Sequence, residues 1–243
     1  MKPCCILLLI LLLAAPAGAA LPELSPLNAR YRIVVNGIPA GTAATVNIRS
    51  LGSEQHEIDF QVENRFLKNR EISRFDWRNC KVVAHEYQHE FHGLGIDRQS
   101  AITFDWQRHV AIEARGNQKR EIRLDGEIFD GLNMAMLARC RLRDGARSLD
   151  FPILYRGERK NLHFTVTGQE TIETPLGTFD TWVIERRYPQ RFKRTRVWVA
   201  PALDWFMVRF EHVENPAARG SLLLTDISID GQRMAPAAKR DEP

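Results

Sequence analysis

The sequence predicts a mainly β protein: a single domain built on an antiparallel sheet, curved or closed into a barrel-like shape, with one short helix. Three observations carry that expectation. Nearly every segment after Arg30 alternates apolar and polar residues with period two, the pattern of strands with one buried face. Turn-forming residues punctuate these runs at short intervals. One stretch, near 128–143, changes to helical spacing.

In chain order, Tyr31 to Val35 runs into Asn36-Gly37, a dipeptide favoured in tight hairpins, and Thr42 to Ile48 answers it. His56, Ile58, Phe60 and Val62 alternate with Glu57, Asp59, Gln61 and Glu63, giving one largely apolar face and one charged face. Val82 to Phe91, Ala101 to Trp106 and His109 to Ala114 continue the series. Leu132, Ala135, Met136 and Arg139 then fall at helical spacing, Asp130 is placed to cap a start, and Gly145 follows. The expected helix covers about 130 to 141. Strands resume at Leu149 to Tyr155, Leu162 to Val166 and Glu170 to Glu173. Pro175 and Gly177 make Thr174 to Thr178 a turn. Phe179 to Arg187, Phe192 to Val199, Phe206 to Val213 and Leu222 to Ile229 complete about a dozen strands.

The ends differ from this body. Met1-Lys2, an apolar run through Ala15, and Ala17-Gly18-Ala19 form a secretory signal, with cleavage expected after Ala19. That run is short for a bilayer span. Cys4 and Cys5 precede the apolar core, whereas a lipoprotein signal places its cysteine after it, so no lipid anchor is expected. The organisation expected is a signal peptide over 1–19, a β-rich domain over 20–233 and a disordered tail over 234–243. No later apolar run is long enough for a transmembrane segment, and the location implied is the periplasm.

With 44% hydrophobic and 26% charged residues, the composition is that of an ordinary globular chain. The formal charge of +4 permits anionic partners without requiring them. Cys80 and Cys140 are the cysteines beyond the signal. An oxidising compartment allows them to pair, and spacing alone leaves the bridge open.

Several motifs in order carry a resemblance. They are Thr174-Pro175-Leu176-Gly177-Thr178-Phe179, then Arg194-Thr195-Arg196-Val197-Trp198-Val199-Ala200-Pro201, then Val208-Arg209-Phe210-Glu211. Tyr31-Arg32-Ile33 with Gly37 and Gly41, Thr103-Phe104-Asp105-Trp106, and Asp130-Gly131-Leu132 precede them. From Arg30 to Ile229 the chain resembles the exported bacterial family called domain of unknown function 3108. The resemblance implies a β-rich envelope protein and supplies no catalytic residues. It breaks at Asn79-Cys80-Lys81, where relatives tend to carry a proline-containing turn.

His85-Glu86-Tyr87-Gln88-His89 matches the zinc-protease pattern H-E-x-x-H. That chemistry needs a helix, where residues four apart share a face. Val82-Val83-Ala84 before the motif, and Gly93 and Gly95 after it, favour a strand instead. A regular strand would put Val83, His85, Tyr87, His89 and Phe91 on one face and Glu86 on the other. The two histidines would stand about 13 Å apart along it. No metal ligands, cofactor or catalytic residues are therefore assigned. Ser148, Ser221 and Ser228 lack the Gly-x-Ser-x-Gly elbow, and no glycine loop for phosphate is present.

The segment 186–196 holds six cationic residues in eleven positions. Phe192, Arg194, Arg196 and Trp198 alternate along one expected strand face, interleaving guanidinium groups with rings. Such a face suits an oxyanion beside an apolar body. These four are the candidate ligand-binding residues. The competing expectation is a solvated hairpin whose arginines pair with Glu170, Glu173 or Glu185. The leading functional expectation is a non-enzymatic periplasmic protein that binds a lipid or another amphipathic, anionic envelope component; export argues against nucleic acid. One alternative is an accessory or scaffold protein for an envelope complex, engaging a protein partner through a strand edge. A second is a zinc-dependent hydrolase using His85, Glu86 and His89.

Overall fold

A computed structural model of the protein describes residues 23–93 and 95–234. The expected signal segment and, apart from Met234, the expected tail lie outside the described residues. The alternating segments become strands. They are β1 (Leu27–Val35), β2 (Ile38–Ser50), β3 (Gln55–Asn64), β4 (Leu67–Arg78), β5 (Lys81–Gly93), β6 (Ile96–Asp105), β7 (Val110–Arg115) and β8 (Gln118–Arg123). The helix α1 (Asn133–Arg143) follows. Then come β9 (Ser148–Tyr155), β10 (Glu158–Thr174), β11 (Gly177–Arg187), β12 (Arg194–Ala200), β13 (Phe206–Asn215), β14 (Ala218–Ile229) and β15 (Gln232–Arg233). A 3-10 turn over Pro201–Leu203 links β12 to β13.

All these strands form one antiparallel sheet, ordered β8-β7-β6-β5-β4-β3-β2-β1-β14-β13-β12-β11-β10-β9, with β15 beside β14. Two meanders therefore share a seam where β1 pairs with β14. The expected single curved sheet with one helix is what the chain forms. Two strands, β4 and β8, lack the alternation that marks the others, and the two short strands expected at 162–173 are one seventeen-residue strand, β10. Near its base β4 packs Phe75 and Trp77 into the core, but Ser73, Glu71 and Asn69 continue the same face. Its inward side is polar there, so period two is hidden. β8 is an edge strand, with only Ile122 packed inward.

The curled sheet brings its two edges, β8 and β9, towards each other. The chain leaving β8 runs beside β9: Phe129 donates its amide to the Pro152 carbonyl at 2.9 Å, and the Leu154 amide donates to the Phe129 carbonyl at 2.8 Å. Leu154 then packs with Ala84, Ile102, Phe104 and Ala111 from β5 to β7. The β9–β10 turn needs Gly157, whose φ is +71° and where a Cβ would collide with the Glu113 carboxylate of β7.

Antiparallel order sends every odd-to-even hairpin to one end, the rim, and the remaining turns to the other, the base. Helix α1 stops the base. Asp130 starts it, accepting hydrogen bonds from the Leu132 and Asn133 amides at 2.8 and 2.9 Å. Met136 and Cys140 face the main core beside Phe75, Trp77, Val183 and Trp198, while Leu137 and Leu142 face a second cluster with Phe151, Ile184 and Val199. The expected helix thus exists, shifted to 133–143. Cys140 is disulfide-bonded to Cys80 in the β4–β5 turn, with Cα atoms 5.9 Å apart.

Candidate functional site

Strand β5 decides the fate of the H-E-x-x-H motif. Residues 81–93 are strand, so the shared helical face that zinc chemistry requires does not form. The alternation expected for a regular strand needs correction. Phe75 pairs with Ala84 and Arg74 with Glu86, which leaves His85 as an extra, bulged residue. Ala84 therefore lies in the core, and Tyr87, three residues on, packs against the same cluster. His89 faces inward with Tyr87, its Nε2 2.9 Å from the Asn69 carboxamide oxygen. His85 faces outward, its Nε2 2.9 Å from an Asp76 carboxylate oxygen. Glu86 also faces outward and pairs with Arg74. The bulge puts the two histidines on opposite faces of the sheet. Among the described residues no three His, Cys, Asp or Glu side chains converge as a metal site.

The four candidate ligand-binding residues separate into two groups. Arg196 and Trp198 share a face of β12, as expected, and the Arg196 guanidinium lies 4.7 Å from the indole centroid. Arg209, paired with Trp198 across β13, lies 4.6 Å from the same ring. But Trp198 is 1% exposed, and its Nε1 donates to Glu170 at 2.7 Å. Arg196 is held by Glu170 at 2.7 Å and by Glu185 at 3.7 Å. The indole bond is the largest influence on the Glu170 carboxyl; burial opposes it, and the nearby Arg196 and Arg209 add to it, so the carboxyl is held below its usual range. Together they form a brace, with the buried indole below and the partly exposed Arg196–Glu170 pair over it. Phe192 is not on the strand at all: β12 begins at Arg194, and Phe192 sits exposed in the preceding turn. The expected single row of four is corrected to two halves, Arg196 and Trp198 held in the brace and Phe192 and Arg194 exposed.

The exposed half joins a groove of about 560 Å³ at the rim. Tyr188, Arg191, Phe192, Lys193 and Arg194 line it from the β11–β12 hairpin, Glu185 and Arg187 from β11, and Val213, Pro216 and Arg219 from the neighbouring β13–β14 hairpin. Five of these side chains are cationic, and three carboxylates answer them. Arg187 Nε meets Glu185 at 2.6 Å and Lys193 Nζ meets Glu214 at 2.8 Å. Glu211 is shared at 3.5 to 4.0 Å by Arg194, Arg209 and Arg219. One carboxylate cannot neutralise three guanidinium groups, so the wall keeps positive charge. Arg191 lies against a ring, its Cζ 5.3 Å from the Phe192 centroid, and among the described residues no carboxylate pairs with it.

Tyr188 is locked in place by a directed chain of hydrogen bonds. Glu214 can only accept, so His212 Nε2 donates to it at 3.1 Å, and in the neutral imidazole this leaves Nδ1 as acceptor. Thr195 then donates to Nδ1 at 2.8 Å, Tyr188 donates to Thr195 at 3.1 Å, and Arg186 donates to the Tyr188 oxygen at 3.2 Å. The result is an aromatic wall fixed beside fixed cations, able to hold an oxyanion with an apolar body. The sequence pointed to Phe192 and Arg194. It did not reveal Arg219, Val213 or Pro216, which reach the groove through pairing of β13 with β12 and β14.

A second depression, of about 650 Å³, lies over β1, β2 and β3 and contains Arg30 and Arg32. Its one aromatic residue, Tyr31, has its ring in the core, so it offers no exposed ring to an apolar group.

Comparison with family models matches residues 28–216 to a family described as protein of unknown function, DUF3108. The chain belongs to the DUF3108 family. Among solved structures, this DUF3108 protein is similar to a β-barrel-like protein of domain of unknown function DUF1849 from Brucella abortus. The two share 9% identity with a TM-score of 0.57, over 86% of this chain and 99% of that one. That likeness concerns the fold alone. A protein from Parabacteroides distasonis described as a "putative lipoprotein" aligns over 85% of this chain and 97% of its own, with 11% identity and a TM-score of 0.32. No curated protein matches. Among the described residues no helix of the DUF3108 protein is long and apolar enough to cross a membrane.

Proposed function

We propose that this DUF3108 protein is a non-enzymatic protein of the periplasm that binds an anionic amphiphile, a lipid or lipid-like envelope component, in the rim groove. The observation that carries the reading is the groove wall itself: five cations answered by three carboxylates, beside the rings of Tyr188 and Phe192. Guanidinium groups grip phosphate or carboxylate oxygens while rings cover an acyl stem. The secretory signal read from Met1 to Ala19 and the Cys80–Cys140 bridge support an oxidising compartment.

The test is calorimetric titration of the mature chain with monomeric dihexanoylphosphatidylglycerol and with its zwitterionic choline counterpart. The anionic lipid should bind at least about tenfold tighter, and Arg194→Ala with Arg219→Ala should remove about that factor. Equal affinity for the two lipids, or binding unchanged in the double variant, would sink the reading. The scaffold alternative draws less support, because the β8 edge carries Lys119, Arg120 and Arg123, the residue types that discourage strand addition.

A further inference from the structure

The exposed apolar side chains are not scattered. Of the eight large hydrophobic residues exposed among the described residues, six stand at rim hairpins: Val35 and Ile38, Phe66, Ile96, Tyr155 and Phe192. Leu51 and Val83 are the two towards the base. Three of the rim tips repeat one arrangement, an aromatic ring with an adjacent arginine laid against it. Arg65 Cζ lies 4.4 Å from the Phe66 centroid, Arg156 Cζ 5.2 Å from that of Tyr155, and Arg191 Cζ 5.3 Å from that of Phe192. Lys160 Nζ adds a second cation 5.3 Å from the Tyr155 ring. Among the described residues none of these three arginines pairs with a carboxylate.

We infer that the rim is a docking surface for an anionic phospholipid bilayer. Hairpin tips β1–β2, β3–β4, β5–β6, β9–β10 and β11–β12 are separate in the sheet order, so their apolar residues ring one end of the curled sheet rather than line a single cleft. A broad surface meets such a ring; a small ligand does not. Exposed rings sit well at the boundary between headgroups and acyl chains, and arginines beside them reach phosphate oxygens at the same depth. Charge complementarity selects the occupant, since unpaired cations favour an anionic leaflet over a zwitterionic one. The inference goes beyond the groove reading and shares with it only Arg191 and Phe192. It also turns the groove mouth towards the lipid.

Co-sedimentation of the mature chain with vesicles tests it. Vesicles of phosphatidylethanolamine with phosphatidylglycerol should bind the wild type at least about tenfold better than pure phosphatidylcholine vesicles, and raised salt should weaken that binding. Phe66→Ser with Tyr155→Ser, both outside the groove, should cut vesicle partition about tenfold, and Arg65→Glu with Arg156→Glu should do the same. Leu51→Ser at the base should leave it unchanged. Monomeric dihexanoylphosphatidylglycerol should still bind all these variants, which separates failure of the rim from failure of the groove. Equal binding to both vesicle types, or full partition of the Phe66/Tyr155 variant, would overturn the inference. So would a wild-type dimer in sedimentation velocity that dissociates in that variant, because the rim would then be covered by a second copy.

Discussion

Cys140, three residues from the end of α1, is covalently tied to Cys80 in the turn between β4 and β5. Asn79 and Cys80 both adopt left-handed φ, at 51° and 61°, a conformation unfavourable for a side chain with Cβ. The tight turn that aims Cys80 at the helix is therefore held by the bridge it makes. The same link fixes the stopper in the base of the curled sheet.

Breaking that link should be costly. A bridge spanning a separation of 60 residues restricts the unfolded chain by about 4 kcal/mol in the chain-entropy account. Chemical denaturation of Cys80→Ser with Cys140→Ser should show a midpoint lowered accordingly, and reduction of the wild type should reproduce it. A midpoint within error of the oxidised protein would show that α1 is held by packing alone.

Asp130 makes one contribution to stability that falls as pH rises. Its fully buried carboxyl is pushed up to about 6 by burial, with Glu71 adding in the same direction, although Ser73, Asn133 and Leu132 donate hydrogen bonds to it. A carboxyl raised in the folded state favours folding while protonated. Its contribution is complete below pH of about 4 and is lost as pH rises through about 6, amounting to roughly 3 kcal/mol. Stability measured from pH 4 to 7 should contain this fall, and Asp130→Asn should flatten it. An identical slope in the variant would remove Asp130 as the cause.

Arg139 joins α1 to the turn before β13. Its Nε donates to the Asp204 carbonyl at 3.0 Å, its terminal nitrogen pairs with the Asp204 carboxylate, and its guanidinium lies 5.5 Å from the Phe206 ring. Asp204 holds φ at 50°, so the ion pair also steadies a strained turn. Arg139→Ala should cost about 2–3 kcal/mol, less than a wholly buried pair because Asp204 keeps water contact. Arg139→Met should recover part of that through its stem. Thermal unfolding of the two variants separates these contributions.

Trp198 is predicted to act as core and brace, not as ligand contact. Trp198→Ala should destabilise by about 3–5 kcal/mol. Trp198→Phe keeps most of the packing but removes the donor to Glu170, so the Glu170 carboxyl should titrate nearer its ordinary range in an NMR pH series. If Trp198→Phe instead abolished amphiphile binding while Glu170 titrated as before, the brace assignment would be wrong.

Much of the fold is legible in the residues. Asn36-Gly37 forms its hairpin with both φ positive, at 50° and 83°, as that dipeptide favours. Helical spacing around Leu132 to Arg139 finds α1, and Asp130 starts it. The strand character of 81–93 follows from its β-branched entry and glycine exit. β4 escapes because alternation reports burial, not strand conformation: Asn69, Glu71 and Ser73 face inward yet are polar, satisfied by His89, Tyr87 and Asp130. The bulge at His85 escapes because one extra residue is a property of pairing with β4, which β5 alone does not encode.

By itself the sequence determined a β meander with one helix, a strand where a zinc motif would need a helix, and arginines interleaved with rings near 192–198. Those are local matters, set by period, turn chemistry and side-chain alternation. Only the tertiary structure decided that Trp198 is buried while Phe192 is exposed, that Cys80 meets Cys140, and that Arg219 completes a groove begun by Arg194. It also gathered Phe66, Tyr155 and Phe192 at one end, since antiparallel pairing sends alternate turns to the same side whatever their distance along the chain.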